Sequence, residues 1–140
     1  MRLQGRKRII AINAFLFASL FALISLNKEV LRPSFNHIPF LQGLFGCLPN
    51  FLAAWLISMT FICGMLIRKP KRARLLAYTA SMLIFGILTL EEFKPFWGAS
   101  TVYDILDIIA GFIGSVLAII SYEIINSIQK KRKKTIYESQ

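Results

Sequence analysis

The sequence predicts an all-α integral membrane protein, a four-transmembrane-helix bundle with both termini cytoplasmic. Three observations carry that expectation: four long apolar runs, prolines that fall between them, and basic residues gathered in three clumps. The 140 residues are 56% hydrophobic and only 17% charged, yet carry a formal net charge of +10. A soluble domain would hold about a quarter charged residues. The mean hydropathy of +0.59 excludes a disordered chain. With Cys47 and Cys63 as its only thiols, the chain is no disulfide scaffold.

The first span is expected over 9–27, where IIAINAFLFASLFALISLN holds no charge. It approaches the roughly 20 residues that cross a bilayer core. The run is long for a signal-peptide core, and no A-x-A cleavage site follows it. The second span is expected over 48–67, with Pro49 in its first turn, where a missing N–H is harmless. The third, 73–93, ends on Glu91 and Glu92, and the fourth, about 102–128, contains Asp104, Asp107 and Glu123. Pro33, Pro39, Pro70 and Pro95 fall between spans. The stretch 28–47, with Pro33, Pro39, Gly43 and Gly46, is expected as an outer loop without a long regular helix. It would lie in the interface or re-enter the bundle and roof the acidic residues beneath. A basic cytoplasmic tail, 129–140, completes the single transmembrane domain.

Fourteen of the 17 Lys and Arg residues lie in the N-terminal tail, the segment Arg68–Arg74 and the run Lys130–Lys134. Lys28, Arg32 and Lys94 lie on the other side. The positive-inside rule then places both termini and the segment 68–74 on the cytoplasmic side, and the cell's inner (plasma) membrane is the expected location. The basic runs resemble nucleic-acid patches in isolation, but beside apolar spans they orient the chain and attract anionic lipid headgroups. Membrane lipids are thus the expected partners, and nucleic acid is not.

On the outer side Glu91, Glu92, Asp104 and Asp107 converge, with Lys94 between them and Arg32 and His37 within approach. Ionisable groups at membrane depth are functional candidates by default. Asp104 equally suits the first turn of a helix, where the macrodipole favours negative charge. Asp107 shares a helical face with Gly111, Gly114 or Ser115, and Ala118, so it should point into the bundle. Glu123 reads as structural, paired with a loop Lys or Arg. A second small-residue stripe, Ala14, Ala18 and Ala22 with Ala11 and Ser25 beside it, should pack the first helix, with Asn13 as an interhelical hydrogen-bond donor. No catalytic constellation, metal-ligand spacing or phosphate loop is visible, so no catalytic or metal residues and no cofactor are assigned, and an enzyme is the less favoured class.

Three motifs resemble the VanZ-like family, small envelope membrane proteins named for a teicoplanin-resistance determinant. They are Asn36-His37-Ile38-Pro39-Phe40 after the first span, Glu91 or Glu92 at the outer end of the third, and Tyr103–Ala118, YDILDIIAGFIGSVLA. The family's usual Arg before the Asp motif is replaced by Gly98–Thr101, and its Asn after the second Asp by Gly111. Lys94 or Pro95 stands where the family has Gln. The resemblance implies a non-enzymatic envelope protein whose ligand set is Asn36, His37, Glu91, Glu92, Lys94, Asp104 and Asp107. That site would engage a lipid-linked or cell-wall component, with a link to glycopeptide-type antibiotic susceptibility. The alternative is a small ion- or proton-coupled transporter acting as a homo-oligomer. A lysis accessory protein and a membrane enzyme are more remote readings.

Overall fold

The computed structural model describes residues 2–35, 37–93 and 104–138, with side-chain surroundings for 6–35, 37–93 and 104–131. These residues form α1 (Arg2–Leu26), a π-helical turn (Asn27–Leu31), α2 (Arg32–Ser34), α3 (Pro39–Arg68), α4 (Ala73–Phe93) and α5 (Ile105–Glu138). Among the described residues four helical stretches are long and apolar enough to cross a membrane: Arg6–Ser34, Pro39–Arg68, Ala73–Phe93 and Ile105–Lys131. The chain is a multi-pass, all-α membrane bundle. Its outside is correspondingly greasy: Phe15 and Phe21 on α1, Leu83, Ile87 and Leu90 on α4, and Ile113 on α5 are all more than half exposed. Such a surface is stable against lipid tails and not against water.

α3 and α5 run side by side in direct contact, and α4 connects them and packs against both. Their seam is built from small residues. Ala110, Gly111, Gly114, Ser115 and Ala118 are all buried, at the spacing expected from the sequence. At Gly114 the backbones approach so closely that an added Cβ would overlap the Phe51 carbonyl oxygen and lie 3.0 Å from Ala54 Cβ. Below this crossing Ile62, Leu66, Ala77, Ala118 and Tyr122 join α3, α4 and α5 in one apolar cluster. Phe85 of α4 meets Phe112 of α5 edge-on at 5.6 Å between ring centroids. Such pairs add about 0.5–1.5 kcal/mol beyond their buried area.

α1 is held differently. Leu16, Leu20 and Ile24 pack against Leu48, Leu52 and Leu56 of α3, and α1 touches neither α4 nor α5. The alanine stripe does not make this seam. Ala11, Ala14, Ala18, Ala22 and Ser25 are all exposed, because leucines occupy the face that meets α3. Asn13 is no interhelical donor either: its Oδ1 is buried without a partner and the residue makes no hydrogen bond among those described.

The expected outer loop is mostly helix. α1 continues through the π-helical turn and α2 to Ser34, and α3 begins at Pro39, nine residues before the expected 48. Pro39 stands in the first turn of α3, where proline is well suited. Gly43 and Gly46 are carried inside the helix, and Pro49 lies in its interior. Proline there removes the N–H that would have met the carbonyl four residues earlier. That orphan is the Phe45 oxygen, and the preceding helix supplies donors: Asn27 Nδ2 at 2.8 Å and Arg32 Nε at 3.1 Å. Arg32 Nη2 also donates to the Gly46 carbonyl at 2.6 Å. The π-helical turn lies between Asn27 and Arg32, and wider turns of this kind re-aim side chains within a helix.

At the opposite end α3 closes on Lys69, which adopts the left-handed conformation (φ 49°) and donates its N–H to the Met65 carbonyl at 2.9 Å. Pro70 follows and prevents continuation. α4 occupies the expected 73–93, whereas α5 runs on through the basic tail to Glu138. Arg74 and Tyr78 of α4 both reach Glu123 of α5, with Arg74 Nε at 2.6 Å and Tyr78 Oη at 2.7 Å from Oε1. Glu123 is thus the structural, paired carboxylate expected from the sequence. Cys47 and Cys63 are free thiols.

Candidate functional site

The acidic end of the bundle is assembled from the close of α4, the start of α5, the first turns of α3 and the end of the α1–α2 run. Asp104 precedes α5, and its Oδ1 accepts the Leu106 N–H at 2.9 Å. It is therefore the N-cap of that helix, one of the two roles its position allowed. The cap is doubled, since Glu92 Oε1 accepts the Asp104 N–H at 3.0 Å. Two carboxylates are drawn to this point because the first N–H groups of a helix have no partner of their own and carry positive partial charge.

One turn deeper, Asp107 is half-buried between α3 and α4. The Asn50 side chain of α3 faces its carboxyl, and Glu92, Asp104 and Arg32 all lie within electrostatic reach of it. Asn50, Thr89, Glu92 and Asp107 line one crevice, too narrow to hold a water molecule. Glu92 is therefore the third-span carboxylate that faces Asp107. Glu91, its neighbour, lines neither that crevice nor the cleft above it.

Above the crevice an open cleft of about 700 Å³ is lined by Arg32, Pro33, Pro39, Gln42, Gly43, Gly46 and Asp104. Arg32 forms one wall, fixed there by its two carbonyl contacts, and Asp104 forms the other. A cation and an anion thus share one rim around a mostly backbone floor. Gly43 and Gly46 keep that floor low, and nothing lies within 4 Å of an added Cβ at Gly46.

The structure therefore gathers Glu92, Asp104 and Asp107, and leaves Glu91 apart. His37 is exposed and makes no hydrogen bond among the described residues. Asn36 and Lys94 lie outside the described residues, as does Tyr103, the first residue of the third motif. Sequence reasoning missed Asn27, Gln42 and Asn50 and gave Arg32 too small a part. A signal for two of them was present. An interior proline leaves the carbonyl four residues before it in need of a donor, and Asn27 and Arg32 are polar residues on the helix that must pack alongside. Comparison with family models, with characterised proteins and with solved structures gives no match.

Proposed function

We propose that this chain is an envelope membrane protein of the VanZ-like kind, which binds the head of a lipid-linked or cell-wall component at its acidic end without catalysing a reaction. The open cleft between Arg32 and Asp104 carries this reading. A head of the class that combines phosphate with sugar or amino groups presents an anion to the guanidinium, and hydroxyl or ammonium donors to Asp104 and the Gln42 amide. The apolar helix faces beside the cleft suit the lipid chain that such a head carries. The basic clumps, all at the other end, support an extracytoplasmic position for the cleft.

Asp104→Asn is the informative variant, because Asn caps a helix as well as Asp does and removes only the charge. Cells carrying Asp104→Asn or Asp107→Asn, with the protein inserted at wild-type level, are expected to shift in susceptibility to glycopeptide-type antibiotics. Wild-type susceptibility in both variants and in a deletion strain would overturn the reading. A proteoliposome ion flux abolished by Asp107→Asn would replace it with the transport alternative.

Orientation has its own test. In a Cys47→Ser/Cys63→Ser background, Gln42→Cys is expected to react with a membrane-impermeant thiol reagent applied to whole cells. Labelling only in inverted vesicles would reverse the topology.

A further inference from the structure

The basic end holds a second pocket, of about 270 Å³, between the last turns of α3, the start of α4 and the cytoplasmic part of α5. Leu66 and Tyr122 form its base, and Lys69, Asn126, Gln129 and Lys130 supply its polar lining. Tyr122 is only 3% exposed, and its hydroxyl has no hydrogen-bond partner among the described residues. The ring is packed into the core, and the hydroxyl is the part of the side chain left open to the pocket. Here it sits at the base of a cavity that opens between two lysines.

The two lysines are not occupied elsewhere. Neither Lys69 nor Lys130 has a carboxylate within 4.0 Å among the described residues. Lys130 lies within electrostatic reach of Glu123, but that carboxylate is already held by Arg74 and Tyr78. Lys69 also occupies a left-handed backbone position whose ordinary occupant is glycine. Arg68, Lys71 and Arg72 flank the same turn but do not line the pocket.

We propose that this pocket binds the head of an anionic glycerophospholipid from the leaflet at the basic end. The phosphate lies between Lys69 and Lys130. Asn126 and Gln129 donate to phosphate or glycerol oxygens, and the Tyr122 hydroxyl closes the base. The apolar side chains of Met65 and Leu66 line the path of the first acyl carbons. Basic pockets between membrane helices on the cytoplasmic side are suited to phosphate headgroups, and each lysine near the surface strengthens such binding several-fold. A diffuse attraction of the whole basic surface would need no pocket, and the test separates the two.

The full-length chain, purified in detergent, is titrated with dioctanoyl phosphatidylglycerol and followed by native mass spectrometry. Dioctanoyl phosphatidylcholine and inorganic phosphate serve as competitors. One phosphatidylglycerol is expected to be retained, with phosphatidylcholine and phosphate failing to displace it. Lys69→Gly and Lys130→Gln are each expected to weaken retention about fivefold. Glycine is at home in the left-handed position, so Lys69→Gly should keep or raise the melting temperature while losing lipid. The control Lys71→Gln/Arg72→Gln, which removes two charges outside the pocket, should leave retention unchanged. Equal loss in that control, undiminished binding by Lys69→Gly, or equal retention of phosphatidylcholine would overturn the proposal. Displacement by inorganic phosphate at the lipid's own concentration would also overturn it, making this a free-phosphate site.

Discussion

Replacing Gly114 by alanine is expected to destabilise the bundle by about 1–3 kcal/mol, and replacing it by leucine to prevent α3 and α5 from seating at all. The reason is what the new atoms would meet. A Cβ at this position runs into the Phe51 carbonyl oxygen and lies 3.2 Å from the Trp55 nitrogen, and both are backbone atoms inside a helix. A flexible side chain yields by changing rotamer, but a helix backbone yields only by moving the whole helix. Without a hydrophobic driving force between helices in lipid, close backbone contact is a main source of their association, so the loss is not recovered elsewhere. Gly64 and Gly86 provide the control. Nothing lies within 4 Å of a Cβ at either, and Gly64→Ala or Gly86→Ala should be neutral or slightly stabilising. Thermal unfolding of the purified variants in detergent checks the contrast. Equal melting temperatures for Gly114→Ala and Gly86→Ala would show that the crossing is looser than described.

The second large effect concerns the orphaned Phe45 carbonyl. Asn27→Ala is expected to destabilise the protein by about 0.5–1.5 kcal/mol, the net worth of one hydrogen bond, because Arg32 Nε still donates to the same carbonyl. Asn27 is fully buried and donates at 2.8 Å, so no water replaces it. Pro49→Ala restores the missing backbone N–H and gives that carbonyl its ordinary helical partner. Combined with Asn27→Ala it should therefore recover much of the loss. A double-mutant cycle reads this directly, with a coupling of about 0.5–3 kcal/mol expected between residues that share a partner. Strictly additive losses would mean that Asn27 acts through packing alone.

The sequence made the four spans legible because uncharged runs of membrane-crossing length leave few alternatives, and α4 occupies the expected 73–93. It was less informative about which helix faces meet. Two stripes of small residues have similar spacing, yet Gly111, Gly114, Ser115 and Ala118 are buried while Ala14, Ala18 and Ala22 are exposed. Spacing shows which residues share a face, not which face finds a neighbour. On α5 the presence of Asp107 on that face broke the tie, since a carboxylate avoids lipid. On α1 no charge makes that choice, and it is Leu16, Leu20 and Ile24 that meet α3. The stretch 28–47 departs from expectation for a different reason. Proline and glycine punctuate soluble helices, but in membrane helices neighbouring side chains re-satisfy the freed carbonyls, as Asn27 and Arg32 do here.

The site was partly legible. Four acids near one end were evident, but adjacent Glu91 and Glu92 differ by about 100° around a helix, and the sequence does not choose between them. Only packing of α4 on α5 places Glu92 against the Asp104 N–H.

The attachment of α1 has a consequence for how that end of the molecule behaves. Three helices form a mutually braced unit, while the first leans on α3 along a single seam. A structure held along one edge behaves as a door on its frame, and local opening begins where few contacts must break. Arg32 rides on the free end of that door, and its grip on the Phe45 and Gly46 carbonyls is the latch. One wall of the cleft is thus positioned in part by a proline-made defect in the neighbouring helix.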